Sequence, residues 1–156
     1  MTPKHAPSSH LWLVLLVALL AAIASTAVPA AAARPNWTVM VYVDVDNDLE
    51  HYGILDVNQM EWMPPTTPTS VNVVVQMDRI GGYDTSNSDW TTAHRFLVTY
   101  DSTLDLDNII SDPSATPNPR DIGEVDMASP DTLYEFVKWT KDHYPADHYA
   151  LIIWDH

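Results

Sequence analysis

The run His148-Tyr149-Ala150-Leu151-Ile152-Ile153-Trp154-Asp155-His156 limits the fold more than any other stretch of this chain. Tyr149 to Trp154 carry no charge, and an uncharged run of strand length fits a strand covered on both faces, as in a parallel sheet. In open α/β sheets ligands bind outside the carboxyl ends of the strands. The run therefore delivers His156 to the edge where such folds do their chemistry.

The rest of the chain supplies the partners such a strand needs. Trp37-Thr38-Val39-Met40-Val41-Tyr42-Val43 is dense in β-branched and aromatic residues and predicts a first strand. Leu49, Tyr52, Leu55, Gln59 and Trp62 recur at three- and four-residue steps, predicting a helix to about Met63 that Pro64-Pro65 terminates. Val71 to Asp78 reads as a second buried strand, and residues 90–100 alternate in part like a half-exposed one. Residues 64–70 and 111–120 carry the composition of turns and surface loops. Ser129-Pro130-Asp131 is a strong helix start, and Leu133, Phe136, Val137 and Thr140 give that helix one apolar face. Strands alternating with helices predict an α/β domain with a largely parallel sheet.

Residues 1–33 are read separately. Lys4 and His5 precede the apolar run Leu11–Ile23, and Val28-Pro29-Ala30 and Ala31-Ala32-Ala33 offer small residues where a signal peptidase cuts. This is the pattern of a secretory signal peptide, so the chain is expected to be exported, or membrane-anchored if the leader stays uncleaved. The domain is then expected over residues 34–156, with no stable membrane association after cleavage. Among the 156 residues 21 are acidic and 7 basic, which disfavours nucleic acid as a partner because phosphate binding needs a basic patch. With no cysteine, the sequence holds no disulfide, thiolate metal site or thiol nucleophile.

Several side chains are candidates for chemistry. Asp44-x-Asp46-x-Asp48 has the opening spacing of a calcium loop, but Leu49 stands where that loop needs glycine and Leu55 where it needs a bidentate glutamate. Asp44 and Asp46 could instead serve a metal-dependent phosphohydrolase, as nucleophile and acid at a strand end. The plain reading is helix capping plus solvated charge. His51 and His94 have no partner at ligand spacing, and Pro145 breaks any helix that would align His143 with His148. A third reading of the whole is a non-catalytic secreted α/β binding module.

Taken in order, five blocks resemble the clostripain family of cysteine peptidases, in the clan of caspases and gingipains. They are Trp37–Glu50, Val71–Arg79, Asp121–Met127, Leu133-x-x-Phe136-Val137-x-Trp139 and Tyr144–His156. The resemblance implies a caspase-like three-layer sandwich, a largely parallel sheet flanked by helices, and a peptide or protein substrate. It implies a Cys/His dyad with cleavage after Arg or Lys. The catalytic histidine follows the apolar strand, which assigns the role to His156. The nucleophilic cysteine follows the next strand, so the chain is expected to be the amino-terminal part of such an enzyme, truncated at the C-terminus and inactive alone. No cofactor is required by the motifs; calcium is the one the resemblance allows, with its ligands unassigned.

Overall fold

The computed structural model describes residues 34–64, 71–103, 106, 108–111 and 120–156. The leader expected over residues 1–33, and most of the turns expected over 64–70 and 111–120, lie outside the described residues. The elements are β1 (Trp37–Val45), α1 (Glu50–Glu61), β2 (Val71–Arg79), β3 (His94–Leu97), α2 (Pro130–His143) and β4 (His148–Trp154). The strands form one sheet in the order β3-β2-β1-β4. β1 runs parallel to both β2 and β4, and β3 runs antiparallel to β2.

Alternation along β1 divides the core into two layers. Val41, Val43 and Val45 pack with Val75, Met77 and Phe96 against Ile54 and Val57 of α1. Met40 and Tyr42 pack with Val74 against Phe136 of α2. Each fully buried aliphatic or aromatic side chain stabilises the fold by about 1.5–3 kcal/mol relative to exposure. These contacts give the expected three-layer sandwich, a mostly parallel sheet flanked by helices. Gly53 lets α1 approach closely: a Cβ there would lie 2.6 Å from Val45 Cγ1 and 3.3 Å from Val43 Cγ1.

Three details refine the sequence reading. First, β1 is the one neighbour of β4 among the described strands, and Leu151, Ile152 and Ile153 are 42%, 48% and 62% exposed. Second, α1 buries Glu50, Gly53, Ile54, Val57, Asn58 and Glu61, while Tyr52 is exposed. Three- and four-residue spacing holds, but the inward stripe includes acids and an amide that hydrophobic periodicity cannot register. Third, Leu49 occupies the N-cap of α1 with no side-chain cap, so the acids before it do not cap the helix. Asn47 instead orders the turn: its Oδ1 accepts from the Leu49 backbone N–H at 2.8 Å.

α2 follows its signals closely. The Ser129 hydroxyl accepts from the Asp131 backbone N–H, Pro130 opens the helix, and Phe136 and Thr140 are buried. Tyr144 and Ala146 are buried as the chain turns into β4, and Thr38 Oγ1 donates to the Tyr144 carbonyl at 2.8 Å.

Candidate active site

Parallel pairing brings the carboxyl ends of β1, β2 and β4 to one edge of the sheet. Asp44 stands opposite Asp78, and Val43 opposite Trp154. The first residues beyond β4 are Asp155 and His156, so His156 lies on the rim that holds the β1–α1 turn. Its Nε2 stands 2.9 Å from Asp48 Oδ1. Both side chains are exposed, 63% and 66%. The hydrogen bond to Asp48 holds the His156 imidazole above its ordinary pKa, and the same bond holds the Asp48 carboxyl below its own. A second ring nitrogen is thereby left for proton exchange with another group.

The three acids of the Asp44-x-Asp46-x-Asp48 motif go separate ways. Asp48 joins His156. Asp44 is half-buried, and burial raises its pKa, with the nearby Asp155 adding to the effect. Asp46 meets two residues that the sequence reading did not single out, Asp78 and Glu124. One carboxylate oxygen from each of the three lies within 4.8 Å of the others. Asp78 is buried, and burial followed by repulsion from Glu124, Asp46 and Asp44 pushes its pKa up to about 7. One signal could have found Asp78: it closes the second apolar strand as Asp44 nearly closes the first, and parallel pairing sets such acids side by side. Glu124 comes from the segment joining residue 120 to α2, and no local pattern marks it.

A cleft of about 330 Å³ opens beside this rim, between the start of α2 and the ends of β1 and β4. Tyr42, Asp44, Met127, Leu133, Ile153 and Asp155 line it. Tyr42 donates its hydroxyl hydrogen to the Met127 carbonyl at 3.0 Å, and burial, then Asp44, pushes its pKa up to about 12.

The other histidines are placed elsewhere. His51 pairs with Asp84 at 3.0 Å, and His143 Nδ1 stands 2.8 Å from the Trp139 carbonyl. His148 packs against Trp37 with ring centroids 4.9 Å apart. His94 stacks on Trp90, and burial lowers its pKa to about 4, so it is a neutral ring near pH 7. Among the described histidines only His156 directly follows a parallel strand at the carboxyl edge of the sheet.

The mostly parallel α/β fold agrees with comparison to known proteins. A model of the clostripain family matches residues 41–156. The chain belongs to the clostripain family. Clostripain of Hathewaya histolytica is 26% identical over 123 residues, which cover 76% of this chain and 23% of the relative. The chain thus spans about a quarter of the length of the curated relative it matches. A solved B. fragilis cysteine protease superposes with a TM-score of 0.55 at 17% identity, over 78% of this chain and 88% of that one, a likeness of fold.

Proposed function

We propose that this chain is the amino-terminal part of an exported cysteine endopeptidase of clostripain type, in which His156 is the general acid/base of a Cys/His dyad. The observation that carries the proposal is the position of His156, directly beyond the apolar β4 at the carboxyl edge, with Nε2 held by Asp48. A cysteine is only a few per cent thiolate at pH 7, so it needs a nearby base for activation and a proton donor for the departing amine. An imidazole anchored through one nitrogen can do both through the other. The nucleophile would come from a strand following β4 in the full-length protein, and the substrate would be a peptide bond after Arg or Lys.

Three-element geometry of this kind, nucleophile, base and a group orienting the base, recurs on unrelated folds. Here Asp48 supplies the third part. Membership of a peptidase family displaces the reading of Asp44 and Asp46 as phosphohydrolase residues. Residues 1–33 would direct export; amino-terminal sequencing of the protein recovered outside the cell should begin near Arg34. Among the described residues no helix is long and apolar enough to cross a membrane.

The decisive experiment uses the full-length protein and arginyl and lysyl amide substrates. His156→Ala should reduce kcat/KM by several orders of magnitude while leaving the thermal midpoint unchanged, because the ring is exposed. Full activity in His156→Ala would remove the residue from the mechanism. Absence of peptide-bond hydrolysis in the unsubstituted protein would overturn the peptidase reading.

A further inference from the structure

Little holds His156 directly. The β1–β4 ladder ends at Trp154, two residues short of it. Its backbone N–H donates to the adjacent Asp155 side chain, which moves with it. The bond to Asp48 is exposed on both sides, and an exposed pair of that kind holds its members weakly. Trp154 supplies a firmer anchor. Its indole Nε1 donates to Asp56 Oδ2 of α1 at 2.7 Å, half-buried and across 98 residues of sequence. A hydrogen bond to an ionised carboxylate is short and about twice as strong as one between neutral groups. The need to satisfy a donor does not by itself explain the bond, because Trp62, Trp90 and Trp139 keep buried indole nitrogens without a partner.

We infer that the Trp154–Asp56 bond sets the position of His156, which makes Asp56 a positioning residue of the proposed peptidase site. Side chains alternate along a strand, so Trp154 and His156 leave the backbone on the same side. Trp154 packs on the cluster of Val41, Val43 and Ile54 that faces α1. The alternate residues Ile153 and Asp155 line the cleft beside α2. The end of β4 therefore meets α1 at two points. Asp48 stands in the turn that enters the helix and takes the imidazole. Asp56 lies about two turns further along and takes the indole. Gly53, between them, lets the helix lie close against Val43 and Val45.

The bond at Trp154 fixes the direction in which the chain leaves the sheet. Nε2 of His156 then reaches Asp48, and Nδ1 is kept in one orientation. Misplacing a catalytic group by about 1 Å costs on the order of a hundredfold in rate. A tether two residues away can therefore govern turnover without touching the substrate. The effect on rate rests on the peptidase reading, whereas the effect on the imidazole itself does not.

The test uses the full-length protein, with far-UV circular dichroism to establish that each variant folds. Trp154→Phe keeps an aromatic ring and removes the donor, and Asp56→Ala removes the acceptor. Each should lower kcat for an arginyl amide about tenfold while KM changes less than about twofold. The double variant should be no slower than either single one, because both break the same bond. Asp56→Asn, whose amide oxygen still accepts from the indole, should recover most of the lost rate. Trp154→Phe removes no charge, so the His156 ring reports position alone. Its pKa, followed by NMR of the ring protons, should fall toward the ordinary value as the Asp48 bond loosens. Unchanged kcat, additive losses or an unshifted ring pKa in folded Trp154→Phe overturns the inference. Failure of both single variants to fold does so as well, since the pair would then be structural. If the unsubstituted protein hydrolyses no peptide bond, the peptidase reading falls, and the ring titration alone decides whether the bond positions His156.

Discussion

The Glu50–Arg79 and Asp48–His156 pairs lie at the same end of the sheet, two residues apart on one side, yet they occupy opposite environments. Arg79 Nε donates to Glu50 Oε1 at 2.7 Å with both side chains fully buried. The rest of each group is also occupied. Arg79 Nη2 donates to the Asp84 carbonyl, Glu50 Oε2 accepts from the Asp84 backbone N–H, and the guanidinium lies 4.3 Å from the Trp90 ring centroid. His156 and Asp48 have one bond between them and water around it. Buried charge survives only when every lone pair and proton is answered, and so it specifies a single backbone arrangement. An exposed pair stabilises little, but its members can exchange protons and meet a substrate. One pair builds the rim, and the other is available to act from it.

The largest effect should come from breaking the buried pair. Glu50→Ala should destabilise the fold by about 3–5 kcal/mol in chemical denaturation, because Arg79 is left charged and buried without its counter-ion. A loss below about 1 kcal/mol would mean that water reaches Arg79, and the contrast between the two pairs would fail.

Next comes Asp78, an acid that is buried like Glu50 but has no cation of its own. Its folded pKa of about 7 lies above the ordinary carboxylate value. Between about pH 4 and pH 7 the folded chain therefore holds a proton that the unfolded chain has released. Stability consequently falls as pH rises through that window, and the loss is complete above it. Asp78→Asn should remove this slope and add on the order of 2 kcal/mol at pH 8. Thermal midpoints measured from pH 4 to pH 8 in parent and variant decide the point, and parallel curves would show that Asp78 ionises normally.

The smallest expected change in stability belongs to the exposed pair. Asp48→Asn should leave the denaturation midpoint where it is. It should lower the pKa of His156, since the bond to Asp48 is what raises it. Any stabilisation from the pair is present below the unfolded histidine value and is lost as pH rises through the raised folded value. An NMR titration of the imidazole ring protons gives the result directly. An unchanged pKa would indicate that the 2.9 Å contact does not persist in solution.

Glu61 shows the same logic as Glu50 at the far end of α1. Ile110 and Ser111 backbone N–H groups donate to its two carboxylate oxygens, and the Ser111 hydroxyl donates as well. The carboxylate thereby fixes a loop 50 residues away in sequence. Neither glutamate stands out in the sequence, because hydrophobic periodicity scores a buried acid as a surface position. This is why the inward stripe of α1 was misplaced while that of α2, built on Leu133, Phe136 and Val137, was correct.

Local chemistry was enough to determine the strand and helix order, the Ser129-Pro130 helix start and the delivery of His156 to a strand end, because each depends on neighbours within a turn or two of chain. The sequence also carried the five blocks from which the clostripain resemblance was read. Pairing across the sheet decided the remainder. It set Asp78 beside Asp44 and drew Glu124 in from a segment 78 residues beyond Asp46. Contacts over such separations depend on which strands become neighbours, a choice made by the packing of the whole domain rather than by any residue's own preference.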